Sequence, residues 1–392
     1  MGKRFYLLVL MILSTYLWNF SFLNFLARDL IFVVQLFWSF VPFLFFKKNI
    51  LYKQILKKYN KYTLIIFFGV FLSMVSSYYF WNQSFYQTFI SQRFIYLFIS
   101  LSSLLYLAPK ENEIMWALKY VSYITIIVWI LAAIEPSLIS VSDEVLNYRS
   151  SGQGTDIGYS VNGIRLVVFY FYYKLYANSY KINKKGIISI FFLLGFIFLF
   201  QNRSLIIGLV FPFIHFLFTF KSRFKPLIFF VFVASLISFG IYYNKIINNL
   251  INETSSQISN SDYARWRSFS YYFYEYSPDP ICYIFGNGRV SINSEKGSII
   301  KTLNSQGIYD SDLGMFGMLI TYGVIPLFLI YSILYKILFN KKYPNHLKYM
   351  SFHILLVPTI FHFWDNPNLL LFVLIIYLQI FYKEFNNLRF YE

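Results

Sequence analysis

Long apolar runs alternate with short polar breaks along nearly the whole chain, each run about as long as a helix needs to cross a bilayer, roughly 20 residues. The runs fall at 5–25, 30–46, 62–80, 89–108, 114–134, 161–177, 186–202, 203–220, 226–243, 312–335, 350–364 and 367–382. The eleventh contains Pro358 and is the shortest, and the seventh and eighth turn back on each other at Gln201-Asn202-Arg203-Ser204. This pattern predicts an all-α polytopic membrane protein of about 12 transmembrane helices, with residues 1–392 forming a single integral membrane domain. Two breaks exceed turn length, at 135–160 and 244–311. The first run follows Lys3 and Arg4, has no small-residue cleavage pattern and is too long for a signal-peptide core, so it reads as a retained first helix.

Composition excludes the water-soluble alternative. The chain is 58% hydrophobic and 13% charged, with a mean hydropathy of +0.54, whereas a soluble domain is about half apolar and about a quarter charged. The single cysteine, Cys282, rules out an internal disulfide or a cysteine-based metal cluster, and it reads as an inert packing residue. A net charge of +17 would suit nucleic acid if it were spread over the chain. With the N-terminus inside, however, the cytoplasmic breaks are Lys47–Lys61, Pro109–Glu113, Asn178–Lys185, Lys221–Lys225, Lys336–Lys348 and the tail from Lys383. About 22 of the 34 Lys and Arg fall there, against about 4 of the 17 Asp and Glu, as the positive-inside rule requires. The basic excess is therefore a topology signal and an attraction to membrane lipid headgroups, with no nucleic-acid partner implied. Both termini are expected in the cytoplasm.

Which cation appears where carries more information than the total. Of the 11 arginines only Arg4, Arg223 and Arg389 lie on the cytoplasmic side, whereas about 19 of the 23 lysines do. Arg28, Arg93, Arg149, Arg165, Arg203, Arg265, Arg267 and Arg289 sit in outer loops or outer helix ends. A guanidinium grips phosphate or carboxylate with a planar fork and stays charged in a partly dry site, so this bias suits a phosphorylated or acidic ligand. Arg93 and Arg165 lie about one turn inside the fourth and sixth runs, and Arg203 opens the eighth, where free N–H groups also favour an anion. Each alone is also consistent with snorkelling to the headgroups. Together, with Arg149 close in sequence, they point to a functional cavity.

Within the large loop, Asp262–Tyr276 has the pattern of a helix lying along the membrane surface, with Trp266, Phe269 and Phe273 on one face. Gly286-Asn287-Gly288 reads more readily as a turn than as a phosphate cradle. Asp310 and Asp312 are candidate catalytic bases, although Asp312 also suits a helix N-cap. His353 and His362 suit packing, His362 being the better functional candidate of the two. No Walker loop, Rossmann fingerprint or His-Glu-x-x-His is present, which removes ATP-driven and zinc-protease functions.

Four stretches resemble the Wzy-type O-antigen and capsular polysaccharide polymerases of the O-antigen ligase-like superfamily. They are Tyr148-Arg149-Ser150-Ser151-Gly152 with Asn162-Gly163, Gln201-Asn202-Arg203-Ser204, Arg265-Trp266 with Pro280 and Phe285-Gly286-Asn287-Gly288, and Asp310–Gly323. The resemblance covers residues 145–325 by motif and the whole chain by topology. It implies a membrane glycosyltransferase of GT-C-like architecture, in the bacterial cytoplasmic membrane, with a large extracytoplasmic loop. Such enzymes join undecaprenyl-diphosphate-linked repeat units at the outer membrane face and release undecaprenyl diphosphate. No cofactor and no metal is implied, and a chain-length regulator protein is implied as a further partner.

Carried onto this sequence, leaving-group binding falls to Arg203, Arg165 and Arg149, and acceptor-loop roles to Arg265 and Arg289. The base stays open between Asp312, Asp310 and a loop residue such as Glu295. Ligases of the superfamily present a histidine in the large loop. Here 244–311 has none and the matching place reads Asp310-Ser311-Asp312, which favours polymerase over ligase. A transporter of lipid-linked oligosaccharide would call for midplane sites or internal repeats, and neither is evident.

Overall fold

The computed structural model describes residues 2–15, 25–46, 50–135, 163–180, 184–199, 203–219, 230, 264–358, 361 and 366–385. Outside them lie Arg149 and the first outer loop beyond Glu135, Gln201-Asn202, the ninth expected span apart from Phe230, the large loop up to residue 263, and His362. The side chains of Arg203, Arg265 and Asp312 also lie outside the described set. Among the described residues the structure is helical, with no strand.

The helices are α1 (Lys3–Ser14), α2 (Phe25–Phe45), α3 (Ile50–Trp81), α4 (Phe85–Ser91), α5 (Ser100–Leu107), α6 (Glu111–Ile134), α7 (Ile164–Tyr180), α8 (Lys184–Leu199) and α9 (Arg203–Thr219). The large loop supplies α10 (Ala264–Tyr274), α11 (Ile281–Phe285) and α12 (Glu295–Ser305). The chain closes with α13 (Met315–Tyr322), α14 (Val324–Phe339), α15 (Asn345–Leu356) and α16 (Asn366–Ile380). Among the described residues three helical stretches are long and apolar enough to cross a membrane: Ile55–Trp81, Glu111–Ala132 and Pro367–Glu384. A bent pair, Phe85–Ser91 with Arg93–Leu107, makes a fourth. Leu30–Phe45, Lys185–Ile197, Leu205–Phe218 and Val324–Phe339 are apolar but shorter.

Long-range contacts sort the helix ends into two groups. Lys3 Nζ donates to Ala108 O at 3.1 Å, Tyr106 to Phe46 O at 2.9 Å, and Tyr377 to Pro109 O at 2.7 Å. His346 sits 3.4 Å from Glu111, and Lys58 pairs with Glu384 at 2.8 Å. These bonds gather the start of α1, the end of α2, the first half of α3, the α5–α6 turn, the start of α15 and the residues after α16 at one end, rich in lysine. The 23 residues from Tyr59 to Trp81 span about 34 Å of helix, close to the thickness of a hydrocarbon core, and bring α3 to the opposite end. There Trp81 meets the large loop. The shared interior is apolar and aromatic, with Phe98, Phe169, Phe171, Phe213, Tyr172 and Tyr377 fully buried, while Phe37, Phe68, Phe71 and Phe211 point outward.

Two runs expected as single helices are broken. In the fourth, Ser84 and Gln87 form a capping box that starts α4 before the expected span, and the chain then bends by 67° into a 3₁₀ stretch, Arg93–Ile99. In the tenth, α13 stops at Tyr322 because Gly323 has φ +80°, and α14 starts afresh beyond it. The eleventh is shorter than its apolar run, with α15 ending at Leu356, two residues before Pro358.

The break at Gly323 is the anchor of the large loop. Gly286, at φ +83°, lies against it, and a Cβ on either glycine would collide with the other segment's backbone, at Thr321 O and Ile284 O respectively. Replacing Gly286 or Gly323 with Ala combines a left-handed backbone with that collision, and is expected to cost about 2 kcal/mol or more. Gly195→Ala in α8, where nothing lies within 4 Å of an added Cβ, is expected to be neutral or to stabilise by up to about 1 kcal/mol. Thermal melts of the purified variants in detergent check the contrast.

Candidate functional site

The helix break leaves carbonyls at the end of α13 without partners in their own helix, and the loop supplies them. Gly323 N–H bonds Leu319 O at 2.9 Å, Asn287 N–H bonds Ile320 O at 2.7 Å, and Gly288 N–H bonds Thr321 O at 2.9 Å. The amides of Gly286-Asn287-Gly288 are therefore spent on carbonyls, that of Gly286 on Cys282 O at 2.8 Å. The segment is a turn, as its sequence suggested, and not a phosphate cradle.

The next residue, Arg289, lines a small cleft together with Tyr272, Tyr276, Gly288, Val290, Ile300, Asp310, Leu313, Ile320 and Thr321. Across it lies Asp310, first residue of a 3₁₀ turn (Asp310–Leu313), with its carboxylate 3.8 Å from the Arg289 guanidinium. Both side chains are partly exposed, 28% for Arg289 and 41% for Asp310, while the Arg289 Nη1 that faces the carboxylate is itself buried. The cleft thus pairs a fixed cation with a carboxylate that can accept a proton.

A satellite core supports this wall. Tyr272, Tyr276, Leu303, Ile308, Leu313 and Ile320 are buried together, with Phe269, Phe273 and Phe316 packed against them. Ser268 Oγ accepts from Tyr309 N–H at 2.9 Å, and Arg267 donates to Gln306 O, so α10 is fastened over the segment that carries Asp310. A helix is present within the expected 262–276, as α10. Trp266 is exposed, but Phe269 and Phe273 face inward onto Phe316, so the three aromatics do not form one outward stripe.

Other expected site residues fall elsewhere. Arg93 opens the 3₁₀ stretch at the bend after α4, its guanidinium 4.9 Å from the Phe94 ring centroid and donating to Ile90 O at 3.3 Å. It is therefore at a bend, and not one turn inside a continuous span. Arg165 is in the first turn of α7, with its guanidinium 5.9 Å from the Phe361 ring centroid. Neither lines the Arg289–Asp310 cleft. Arg203 is the first residue of α9, as expected. Asp312 lies within the 3₁₀ turn, and the N-cap of α13 is Gly314, so the N-cap reading of Asp312 fails. Glu295 is exposed in the first turn of α12, behind the N-cap Ser294. His353 is a buried packing residue. Gly208 O only accepts, and it takes the Tyr172 hydroxyl at 3.0 Å, so His353 Nδ1–H donates to the phenol oxygen at 2.8 Å. Cys282 is buried, 3.7 Å from Ser76 Oγ. Among the described residues no three His, Cys, Asp or Glu gather as a metal site.

Three residues of the site were not singled out from sequence. The Tyr272 hydroxyl is buried in the cleft wall without a hydrogen-bond partner. Burial raises its pKa, as does the Asp310 carboxylate, while Arg289 opposes them, so it stays a neutral donor. Gln83, in the α3–α4 turn, is fully buried against the loop. Lys296 is 1% exposed. Its ammonium donates to Asn287 O at 2.7 Å and lies 4.4 Å from the Trp81 ring centroid and 5.3 Å from that of Tyr276. The Arg-over-Lys bias directed attention away from it. The available signal was weak, since the large loop holds Lys245 and Lys301 as well, and only the capping serine two residues earlier sets Lys296 apart.

Among the described residues the chain is thus helical, with three helices, or four counting the bent pair, long and apolar enough to cross a membrane, and with a cleft in the large loop that pairs Arg289 with Asp310. No protein-family model matches its sequence, and no curated protein matches it.

Burial pushes the Lys296 ammonium well below the usual lysine pKa of 10.5. The unfolded chain then holds more protons than the folded one below that value, so this residue makes stability rise with pH up to it. Lys296→Met removes the dependence. Melting in detergent at about pH 7 and about pH 10 should show the wild type gaining on the variant at the higher pH, and a constant difference would contradict the assignment.

Proposed function

We propose that this chain is a polysaccharide polymerase of the Wzy type, a membrane glycosyltransferase acting at the outer face of the bacterial cytoplasmic membrane. The observation that carries the reading is the division of charge: lysines gather at one end, and at the other a folded loop sets Arg289 opposite Asp310. Lysines on the cytoplasmic side set the orientation, with both termini inside, about 12 crossings and a GT-C-like architecture. A site that handles diphosphate-linked glycans needs cations for the diphosphate and a base for the attacking hydroxyl, and the outer end offers both.

In the reaction, a sugar hydroxyl at the non-reducing end of the acceptor unit attacks the anomeric carbon of the donor chain. The bond from that carbon to the diphosphate oxygen breaks, and the hydroxyl proton passes to a carboxylate. Asp310 is the base whose side-chain position suits this step, with Asp312 and Glu295 as the other carboxylates of the segment. The departing undecaprenyl diphosphate carries its negative charge to arginine, a role assigned to Arg203, Arg165 and Arg149. Arg289, Arg265 and Arg93 hold the acceptor. A chain-length regulator protein would act on the same complex.

In a strain whose only copy carries Arg203→Ala, Arg289→Ala or Asp310→Asn, polymer should fall by on the order of 10²-fold, leaving single lipid-linked repeat units. Lys341→Ala, at the opposite end, should leave the ladder intact. Full-length polymer from all three site variants would sink the reading. Lipid-linked polymer that forms but is not attached to its final acceptor would indicate a ligase.

A further inference from the structure

The Gln83 side chain makes four hydrogen bonds, and three of them reach the loop that carries Arg289. Its Nε2 donates to Arg289 O at 2.8 Å and to Thr88 Oγ1 at 2.8 Å. Its Oε1 accepts from Ser291 N–H at 2.9 Å and from Ser294 Oγ at 2.9 Å. A carbonyl can only accept and an amide N–H only donate, so the amide's orientation is set by its partners, and its two donors and two acceptor sites are all used. These three partners run from Arg289 itself to Ser294 and lie more than 200 residues away in sequence.

The same turn makes a second attachment next to the first. Trp81 Nε1 donates to Asn287 Oδ1 at 2.8 Å, Asn287 Nδ2 donates to Ser277 Oγ and Ile320 O at 3.0 and 3.1 Å, and Lys296 closes on Asn287 O. Arg289 is thus bounded on its N-terminal side by Asn287 and Gly288 on the broken helix, and on its C-terminal side by Gln83. Gly288 cannot carry a side chain here, since its Cβ would lie 2.8 Å from Ser77 Cβ and 2.9 Å from Ser73 O of α3.

We propose that Gln83 is the positioning residue for Arg289: the end of α3 sets the height at which this guanidinium meets a phosphate or carboxylate of the substrate opposite Asp310. The proposal rests on the functional reading above. A buried, fully bonded amide restricts a loop more tightly than apolar packing does, because any displacement leaves donors and acceptors unpaired. Small displacements at such a site are costly for recognition.

The test is a double-mutant cycle on the purified full chain in detergent, with farnesyl diphosphate as the probe and its affinity measured by calorimetry. Gln83→Ala and Arg289→Ala are each expected to weaken binding about tenfold, and the double variant no more than the weaker single, because both act through one guanidinium. Losses that multiply to about a hundredfold, or unchanged binding in Gln83→Ala, would overturn the proposal. Amide exchange provides a readout that does not depend on the function. Ser291 N–H should exchange faster in Gln83→Ala than in wild type, with overall melting preserved, and unchanged exchange would also overturn it. If Arg289→Ala binds the probe as wild type does while Ser291 exchange still rises in Gln83→Ala, the functional reading fails and the clamp on Arg289's segment stands.

Discussion

A helix that stops inside a packed assembly leaves carbonyl oxygens that must find donors, and the end of this protein that carries the large loop is arranged around one such stop. Gly323 ends α13, and the amides of Asn287 and Gly288 take the carbonyls of Ile320 and Thr321. The exchange is possible only because Gly286 and Gly323 bring two backbones into contact with no side chain between them. Once those bonds are made, the chain direction through residue 289 is settled. The satellite core under α10 then places Asp310 across the cleft. The cleft thus follows from backbone hydrogen bonding first and from side-chain packing second.

At both ends of the molecule cations meet carbonyls, carboxylates and aromatic rings. At the lysine-rich end Lys3 bonds Ala108 O, Lys58 pairs with Glu384, and Arg4 lies over Trp116. At the other end Arg267 bonds Gln306 O, Arg93 lies on Phe94 and Arg289 faces Asp310. Lys296 is buried between Trp81 and Tyr276 and ties the loop to α3. Its burial suits a structural role and keeps it from a ligand.

Much of the helical order was legible because apolar runs of bilayer length announce themselves, and α3, α6 and α9 appear where the pattern put them, α3 reaching further toward the N-terminus through Lys57, Lys58 and Lys61. The breaks were not legible. Nothing in the hydropathy of 312–335 marks Gly323 as a stop, since its positive φ is imposed by Gly286, far away in the chain. The bend at Arg93 likewise depends on a capping box at Ser84 and Gln87 that lies outside the apolar run. Arg289 and Asp310 were both visible as candidates, but their pairing depends on the folding of the loop. Gln83 and Tyr272 gave no signal, because their importance lies entirely in tertiary partners.

The account comes down to whether the cleft at the outer end handles a diphosphate-linked glycan by lengthening it. The most direct measurement is to reconstitute the purified chain in liposomes with an undecaprenyl-diphosphate-linked repeat unit and to follow the glycan by gel. The account predicts a ladder of longer lipid-linked products with release of undecaprenyl diphosphate. Movement of the unit across the bilayer with its length unchanged would contradict it.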